Sequence, residues 1–371
     1  MASRRRNQDE RVQAPEIANG MSRAPPRGMS HRMIWTVSLL GMAFATEASA
    51  TARDADALSL GPYHSCAVTS CGEVQCWGRS DWGQSADRLP TVPPYLIGTP
   101  VVPRFEQVSV GQYHTCALDE DGDVDCWGKG NYGQSADRSG PFVDLDAGYN
   151  HNCAIRQSDG GIECWGTDSH GAVSGTPSGS FIDVSAGIDY ACAIPTGGAG
   201  VQCWGYDSYG QAPSYLEAPN FEAGETFTSV SAGSYHACAV SEWEDGETLY
   251  CWGYGPYASL NGWAAELEPG LYWYQYYDVL AVDAGSSSTV VSRLIGSDSE
   301  VFGFGWLFGS YPIPAGTTSD VAAVGSNHWC TVDDVGDVSC TGNDAYGKAT
   351  PPSTSGSCPG IGWIPTFPTF P

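Results

Sequence analysis

The densest chemistry in the chain lies in Gly111–Gly128, GQYHTCALDEDGDVDCWG. His114, Cys116 and Cys126 are metal-ligand types, and a His–x–Cys step places both side chains on one face of a strand. Asp119, Asp121, Asp123 and Asp125 alternate around Gly122 in the manner of a calcium loop. Val124 stands where the EF-hand glycine belongs, so the segment reads as a solvated hairpin. No H-E-x-x-H, G-x-S-x-G or phosphate loop occurs. The sequence therefore spells out no catalytic residue, and neither a metal site nor a cofactor is expected.

The stretch is one copy of a unit. Aligning on its first glycine gives Gly61, Gly111, Gly148, Gly187, Gly233, Gly285 and Gly325, at spacings of 50, 37, 39, 46, 52 and 40 residues. A period near forty, with short apolar runs and Gly-rich turns, signals radial repetition of small antiparallel sheets. Helical repeats would need apolar residues at i, i+3, i+4 and i+7, and no such pattern occurs. Within a unit, Phe105–Val110, His114–Leu118 and Val124–Trp127 read as strands. A fourth is expected in the segment leading to the next unit, such as Leu96–Val102. The expected fold is all-β: a seven-bladed β-propeller of four-stranded antiparallel blades over residues 51–350. An N-terminal extension with signal occupies 1–50, and a tail at 351–371 is placed to close the ring.

Fourteen cysteines suit an oxidising compartment. Pairing Cys116 with Cys126 sets Leu118 opposite Val124 and leaves Glu120-Asp121-Gly122 as a loop, with Gly122 at its left-handed position. The same register serves Cys66/Cys76 and Cys330/Cys340, and Cys153/Cys164, Cys192/Cys203 and Cys238/Cys251 close similarly. In the sixth unit Val290 and Val301 stand in for the cysteines and Phe302-Gly303 for Trp-Gly, so both sulfurs are missing together. Zinc is the competing use of these cysteines. However, the fourth unit, with Tyr190 and no histidine, keeps both of them. Cys71 and Cys358 remain, and a bridge between them would tie the tail to the first unit.

The net charge is −26, and beyond Ala50 nine Lys or Arg face 38 Asp or Glu. Phosphate backbones and anionic membranes are bound through Lys and Arg, so neither is an expected partner. Met33–Ala45 is a thirteen-residue apolar run preceded by Arg23, Arg27 and Arg32 and followed by Ala48-Ser49-Ala50. That order is the order of a secretory signal, with cleavage before Thr51 and Met29 as an alternative start. The mature chain is expected to be secreted, periplasmic or at the cell surface, with no membrane insertion after signal removal.

The segments GPYHSCAV…CGEVQCWGRSDWGQ, GQYHTCALDEDGDVDCWGKGNYGQ and GSYHACAV…CWG resemble the regulator-of-chromosome-condensation repeat, in the cysteine-rich form of bacterial exported proteins. The resemblance covers Leu58–Ala349 and implies a seven-bladed propeller with one repeat's worth of chain per blade. Ala172, Ser259, Ser310 and Lys348 depart from the family's Gln. Function is not implied, because the family includes a nuclear exchange factor, a plant ultraviolet photoreceptor and a secreted inhibitor of β-lactamases. The photoreceptor's Gly-Trp-Arg-His-Thr signature is absent, and exchange-factor-like regulation conflicts with export and acidic charge. The secreted inhibitor, closest in compartment, shows the fold serving as a protein-binding disc.

His64, His114, His151, His236 and His328 share one repeat position, which suits hydrogen bonding between blades better than catalysis. Trp77, Trp127, Trp165, Trp204 and Trp252 are repeat-locked in the same way. A ring residue follows each unit: Trp82, Tyr132, His170, Tyr209, Tyr257, Phe308 and Tyr346. Three insertions, Arg88–Arg104, Ala212–Thr226 and Leu260–Tyr277, lengthen the spacing, and the last holds Trp263, Tyr272, Trp273, Tyr274, Tyr276 and Tyr277. Aromatic side chains of this density anchor interfaces. The candidate binding residues are these six together with Trp82, Tyr132, Tyr209 and Tyr257. The expected role is a monomeric binding protein with a protein or glycan partner and no nucleic acid. The alternatives are an enzyme with carboxylates and tyrosines in a central channel, and a structural envelope component.

Overall fold

The computed structural model describes residues 57–69, 72–88, 104–218, 224–243, 246–254, 265–268, 271–275, 279–295, 298–319, 321–333 and 337–352. The expected signal within 1–50, Cys71, Cys358, Tyr257, Trp263, Tyr276, Tyr277 and the segment 96–102 lie outside them. No helix among the described residues is long and apolar enough to cross a membrane. The described chain is all-β apart from three single-turn 3-10 helices.

Seven antiparallel sheets follow one another along the chain. Each opens with an inner strand: Leu58–Leu60, Phe105–Val110, Phe142–Ala147, Phe181–Ala186, Thr226–Ala232, Val279–Ala284 and Val321–Val324. A tight turn at the aligned glycine leads to the middle strand, and a hairpin leads on to the outer one. In the second unit these are His114–Asp119 and Val124–Gly128, with Cys116 opposite Cys126 and Leu118 opposite Val124. Gly122 takes φ 83°, the left-handed conformation the hairpin loop requires. Asp119 Oδ1 accepts the Asp121 and Asp123 amides at 3.0 and 2.9 Å, so the carboxylate organises the turn.

Among the described residues five sheets have three strands, where four were expected. After Trp-Gly-x-x-x-aromatic-Gly-Gln the described chain meets the sheet edge in a single bridge, at Arg88 against Val74 and Arg138 against Val124. The next contact comes from a side chain. Asp87 and Asp137 accept the Cys76 and Cys126 amides at 2.9 Å, which satisfies the outer strand without a further ladder. The fourth sheet adds the two-residue strand Leu216–Glu217. The fifth adds Leu271–Gln275, which pairs Trp273 with Tyr250, and Ala265–Glu268 beyond it.

Six disulfides join the middle and outer strands: Cys66–Cys76, Cys116–Cys126, Cys153–Cys164, Cys192–Cys203, Cys238–Cys251 and Cys330–Cys340. Their Cα atoms lie 4.0–4.1 Å apart, as in the closer kind of antiparallel pair, whose amides point away from each other. Removing one bridge by Cys116→Ser with Cys126→Ser is expected to cost roughly 2–4 kcal/mol in urea unfolding. Unreduced, denatured protein should expose none of these twelve thiols, and a titration that finds them reactive would refute the pairing.

The sixth unit needs a correction. Val290 faces Gly303, not Val301, and Ser288 faces Gly305. Phe304-Gly305 therefore replaces Trp-Gly, with Phe304 buried and Gly305 at φ 101°, as Gly78 and Gly128 are at 108° and 100°. The two valines are not directly opposed, though both lie in one buried cluster; the Phe308 ring packs against Gly303, where a Cβ would collide with it.

Neighbouring sheets are joined by a recurring clamp. The His64 Nε2 lies 2.7 Å from Thr115 Oγ1 of the next unit, which donates back to Gln84 O at 2.9 Å. His114, Asn152 and Gln134 O repeat it, as do His328, Ser65 and Lys348 O, the last joining the final unit to the first. Since Thr115 and Asn152 donate onward, the imidazole Nε2 carries the proton. In the fourth unit Tyr190 takes the histidine's place, and its hydroxyl donates to His236 O at 2.6 Å. Trp77, Trp204 and Trp252 donate to Lys348 O, Ala172 O and Gln211 O of the preceding unit. His64, His114, His236, His328 and these tryptophans are thus spent on joining units, whereas His151 Nε2 is buried with no hydrogen-bond partner among the described residues.

Candidate binding face and central channel

Two loops leave each sheet at the same end, because the register sets His64 opposite Gly78, His114 opposite Gly128 and Tyr190 opposite Gly205. One backbone bond then fixes the residue after that glycine. Arg79, Lys129, Tyr206 and Tyr254 each donate N–H to the carbonyl before the middle strand, on Tyr63, Tyr113, Asp189 and Tyr235, at 2.8–2.9 Å. Three residues further on stand Trp82, Tyr132 and Tyr209, whose amides donate to the buried Gln84, Gln134 and Gln211 at 2.9 Å. The glutamine fills the interior, and the aromatic tip is held outward. Trp82, Tyr132, Tyr209 and Tyr346 are 52%, 58%, 46% and 58% exposed, too open for a core role.

Sequence reasoning named these tips but missed what surrounds them. Tyr63 stacks on Tyr113 with centroids 4.9 Å apart and meets Tyr346 edge-on at 6.3 Å. The Arg79 guanidinium, paired with Asp81, lies 5.0–5.5 Å from the Tyr63, Tyr113 and Tyr346 rings. Lys129 Nζ lies 5.3–5.9 Å from Tyr113, Trp82 and Tyr132. On the third to fifth units, Tyr209 meets Tyr206, Tyr235 and Tyr254 at 6.2, 5.3 and 5.2 Å, and His170 lies 4.8 Å from Tyr206. The thrice-repeated Gly-Gln after the aromatic tip was the available signal. The Leu260–Tyr277 candidates are placed only by the backbone of Leu271–Gln275, which carries Tyr272, Trp273 and Tyr274.

Inner strands from all seven sheets line a central cavity of about 990 Å³. Its polar residues sit one residue before the end of each inner strand and tie it to the next. Ser59, Ser109, Asp146, Ser185, Ser231 and Asp283 accept the amides of Val110, Ala147, Ala186, Ala232, Ala284 and Val324 at 2.7–3.0 Å. Ala323 occupies the seventh place and has no acceptor to offer. A partial second ring uses Gln107, Asp144 and Asp183 on Leu145, Val184 and Val230. Burial pushes the carboxyls of Asp144 and Asp283 up to about 6, against the opposing pull of these hydrogen bonds. Both oxygens of Asp144 and of Asp146 accept bonds from adjoining strands. Their geometry is that of a tie between strands. A proton donor would need an oxygen turned to the lumen.

The regulator of chromosome condensation (RCC1) repeat family matches residues 56–84, 105–134 and 227–257. No curated protein sequence matches the chain. The fold is similar to the CRINKLY WD40 ectodomain of the Arabidopsis thaliana receptor kinase ACR4, at TM-score 0.55 and 20% identity over 81% of this chain and 97% of that one. It is also similar to Prp20p from Saccharomyces cerevisiae, described with its binding to Gsp1p and histones, at 0.52 and 18% over 71% and 75%. Human WBSCR16 matches at 0.53 and 16% over 72% and 83%. Likeness at these identities concerns the fold; the three matched segments carry the repeat of the regulator-of-chromosome-condensation family, in a cysteine-rich chain with six disulfides.

Proposed function

We propose that the chain is an exported binding protein. Residues 1–50 carry a removable signal, 51–350 form a seven-bladed propeller and 351–371 a tail, and the aromatic loops of one face engage a protein partner. The carrying observation is the set of half-exposed rings at equivalent positions, Trp82, Tyr132, Tyr209 and Tyr346, three of them held outward by a buried glutamine. Rigid aromatics supply contact area at low entropic cost, and a face that only needed solubility would not spend tyrosines there. Prp20p, similar in fold, is itself a protein binder by its description, which supports a protein over a glycan. The disulfides support an oxidising compartment.

Affinity capture with residues 51–371 tests the reading. Trp82→Ala with Tyr132→Ala is expected to weaken capture at least about tenfold while leaving the melting temperature in place. A Trp273→Ala arm reports on the Leu260–Tyr277 loop. Capture lost only in that arm, or unchanged in both, would move the interface off this face.

A further inference from the structure

The two halves of the aromatic face are built alike and filled differently. Directly after Trp-Gly, the first and second units place Arg79 and Lys129 among the rings, and the fourth and fifth place Tyr206 and Tyr254 there. The position is the same in each case, because one backbone bond to the opposite loop sets it. In the first half the protein's own cations therefore occupy the π faces. Among the described residues no lysine or arginine lies over Tyr206, Tyr209 or Tyr235. The charge around them has the opposite sign. Among the described residues Asp168, Asp189 and Asp207 stand on these loops with no Lys or Arg paired to them; Asp168 and Asp207 accept backbone amides of their own loops, and Asp189 lies 3.7 Å from His170, whose ring is tilted against Tyr206.

We propose that the Tyr209-centred half of the face receives a cationic side chain, an arginine or lysine, from a basic segment of the protein partner. This rests on the aromatic face being the binding face. Ring quadrupoles attract a cation over their faces, and desolvation by several rings strengthens the attraction. The carboxylates beside them and the −26 net charge of the chain add attraction and draw basic segments to the surface. In this site Tyr209 is the central wall, with Tyr206, Tyr235 and Tyr254 around it and Asp189 as the counter-charge. The same sequence unit thus yields a self-filled cation site in one half and, among the described residues, no Lys or Arg of its own over Tyr206, Tyr209 or Tyr235 in the other.

The test needs no identified partner. Protein carrying ring-labelled tyrosine is titrated by NMR with N-acetyl-arginine amide and, separately, with N-acetyl-citrulline amide, its uncharged analogue. The arginine probe is expected to move the Tyr209 signal saturably, roughly tenfold more tightly than the citrulline probe, with weakening by added salt. Tyr209→Ala should abolish the response of the neighbouring rings. It leaves the backbone bond to Gln211 in place, so the loop should keep its shape. Arg79→Ala should open a second arginine site seen at Tyr63 and Tyr113. Equal response to both probes, no response, or a response untouched by Tyr209→Ala would overturn the proposal. Failure of the face itself reads differently: capture would survive Trp82→Ala with Tyr132→Ala while the arginine probe still binds.

Discussion

Acidification from pH 7 towards pH 4 is expected to unfold the protein cooperatively, as followed by near-ultraviolet circular dichroism. Burial pushes the imidazoles of His64 and His328 down to about 3, helped by neighbouring cationic or histidine groups, and those of His114, His151 and His236 down to about 4. In the unfolded chain each takes up a proton near 6.5. Between those values the unfolded state binds more protons, so the contribution is complete above pH 6.5 and is lost as pH falls towards the folded values. Each imidazole loses on the order of 1 kcal/mol per pH unit within that window. Asp144 and Asp283 act with the opposite sign. Their carboxyls are raised to about 6, so the native state binds more protons between 3.8 and 6 and gains stability as pH falls through that range. Five groups oppose two over similar windows, and the histidines prevail. Stability that stays flat from pH 7 to 4 would show that the clamps do not hold neutral imidazoles.

Gly111→Ala is expected to destabilise the protein by roughly 3 kcal/mol or more, against about 1 kcal/mol for Gly83→Ala, compared by urea midpoints. The two glycines differ in why they are needed. Gly83 takes φ 76° with open space around it, so its cost is conformational. Gly111 has no left-handed φ, but a Cβ there would lie 2.6 Å from Gly148 O and strike the His114 ring. All seven aligned glycines are placed this way. A Cβ on each would come within 2.9 Å of the next one's carbonyl oxygen, from Gly61 to Gly111 and round to Gly325, which meets Gly61. A backbone oxygen cannot swing aside as a side-chain end can, so the strain spreads to the neighbouring unit. Equal costs at Gly83 and Gly111 would show that this inner ring is loosely packed.

How far the fold could be read in advance depended on the range of the contacts. The pairing of Cys116 with Cys126 follows from a hairpin that sets them ten positions apart, with loop chemistry and alternating faces that admit one register. In the sixth unit, Val301-Phe302-Gly303-Phe304-Gly305 holds two aromatic–Gly steps two residues apart. Strand side chains alternate with period two, so both choices put the ring on the same face and the pattern cannot separate them. The longer hairpin, Ser288–Ile295 against Asp298–Gly305, decides the matter. In the second unit no fourth strand forms, because a single bridge at Arg138 and an aspartate on Cys126 do a ladder's work and neither leaves a β pattern; the fourth and fifth sheets do add strands.

By itself the sequence determined the repeat, its three core strands, the six cysteine pairs and the structural use of the histidines. All of these are local or are repeated often enough for comparison between copies to expose them. Only the tertiary structure decided which side chains meet between units. The serines and aspartates of the inner strands became ties because each faces the amide of the next unit, some forty residues away. The half-exposed rings became one surface, with Arg79 and Lys129 on one side and Tyr206 and Tyr254 on the other. Such meetings depend on how units stack around an axis, and the order of residues along a strand carries no record of that.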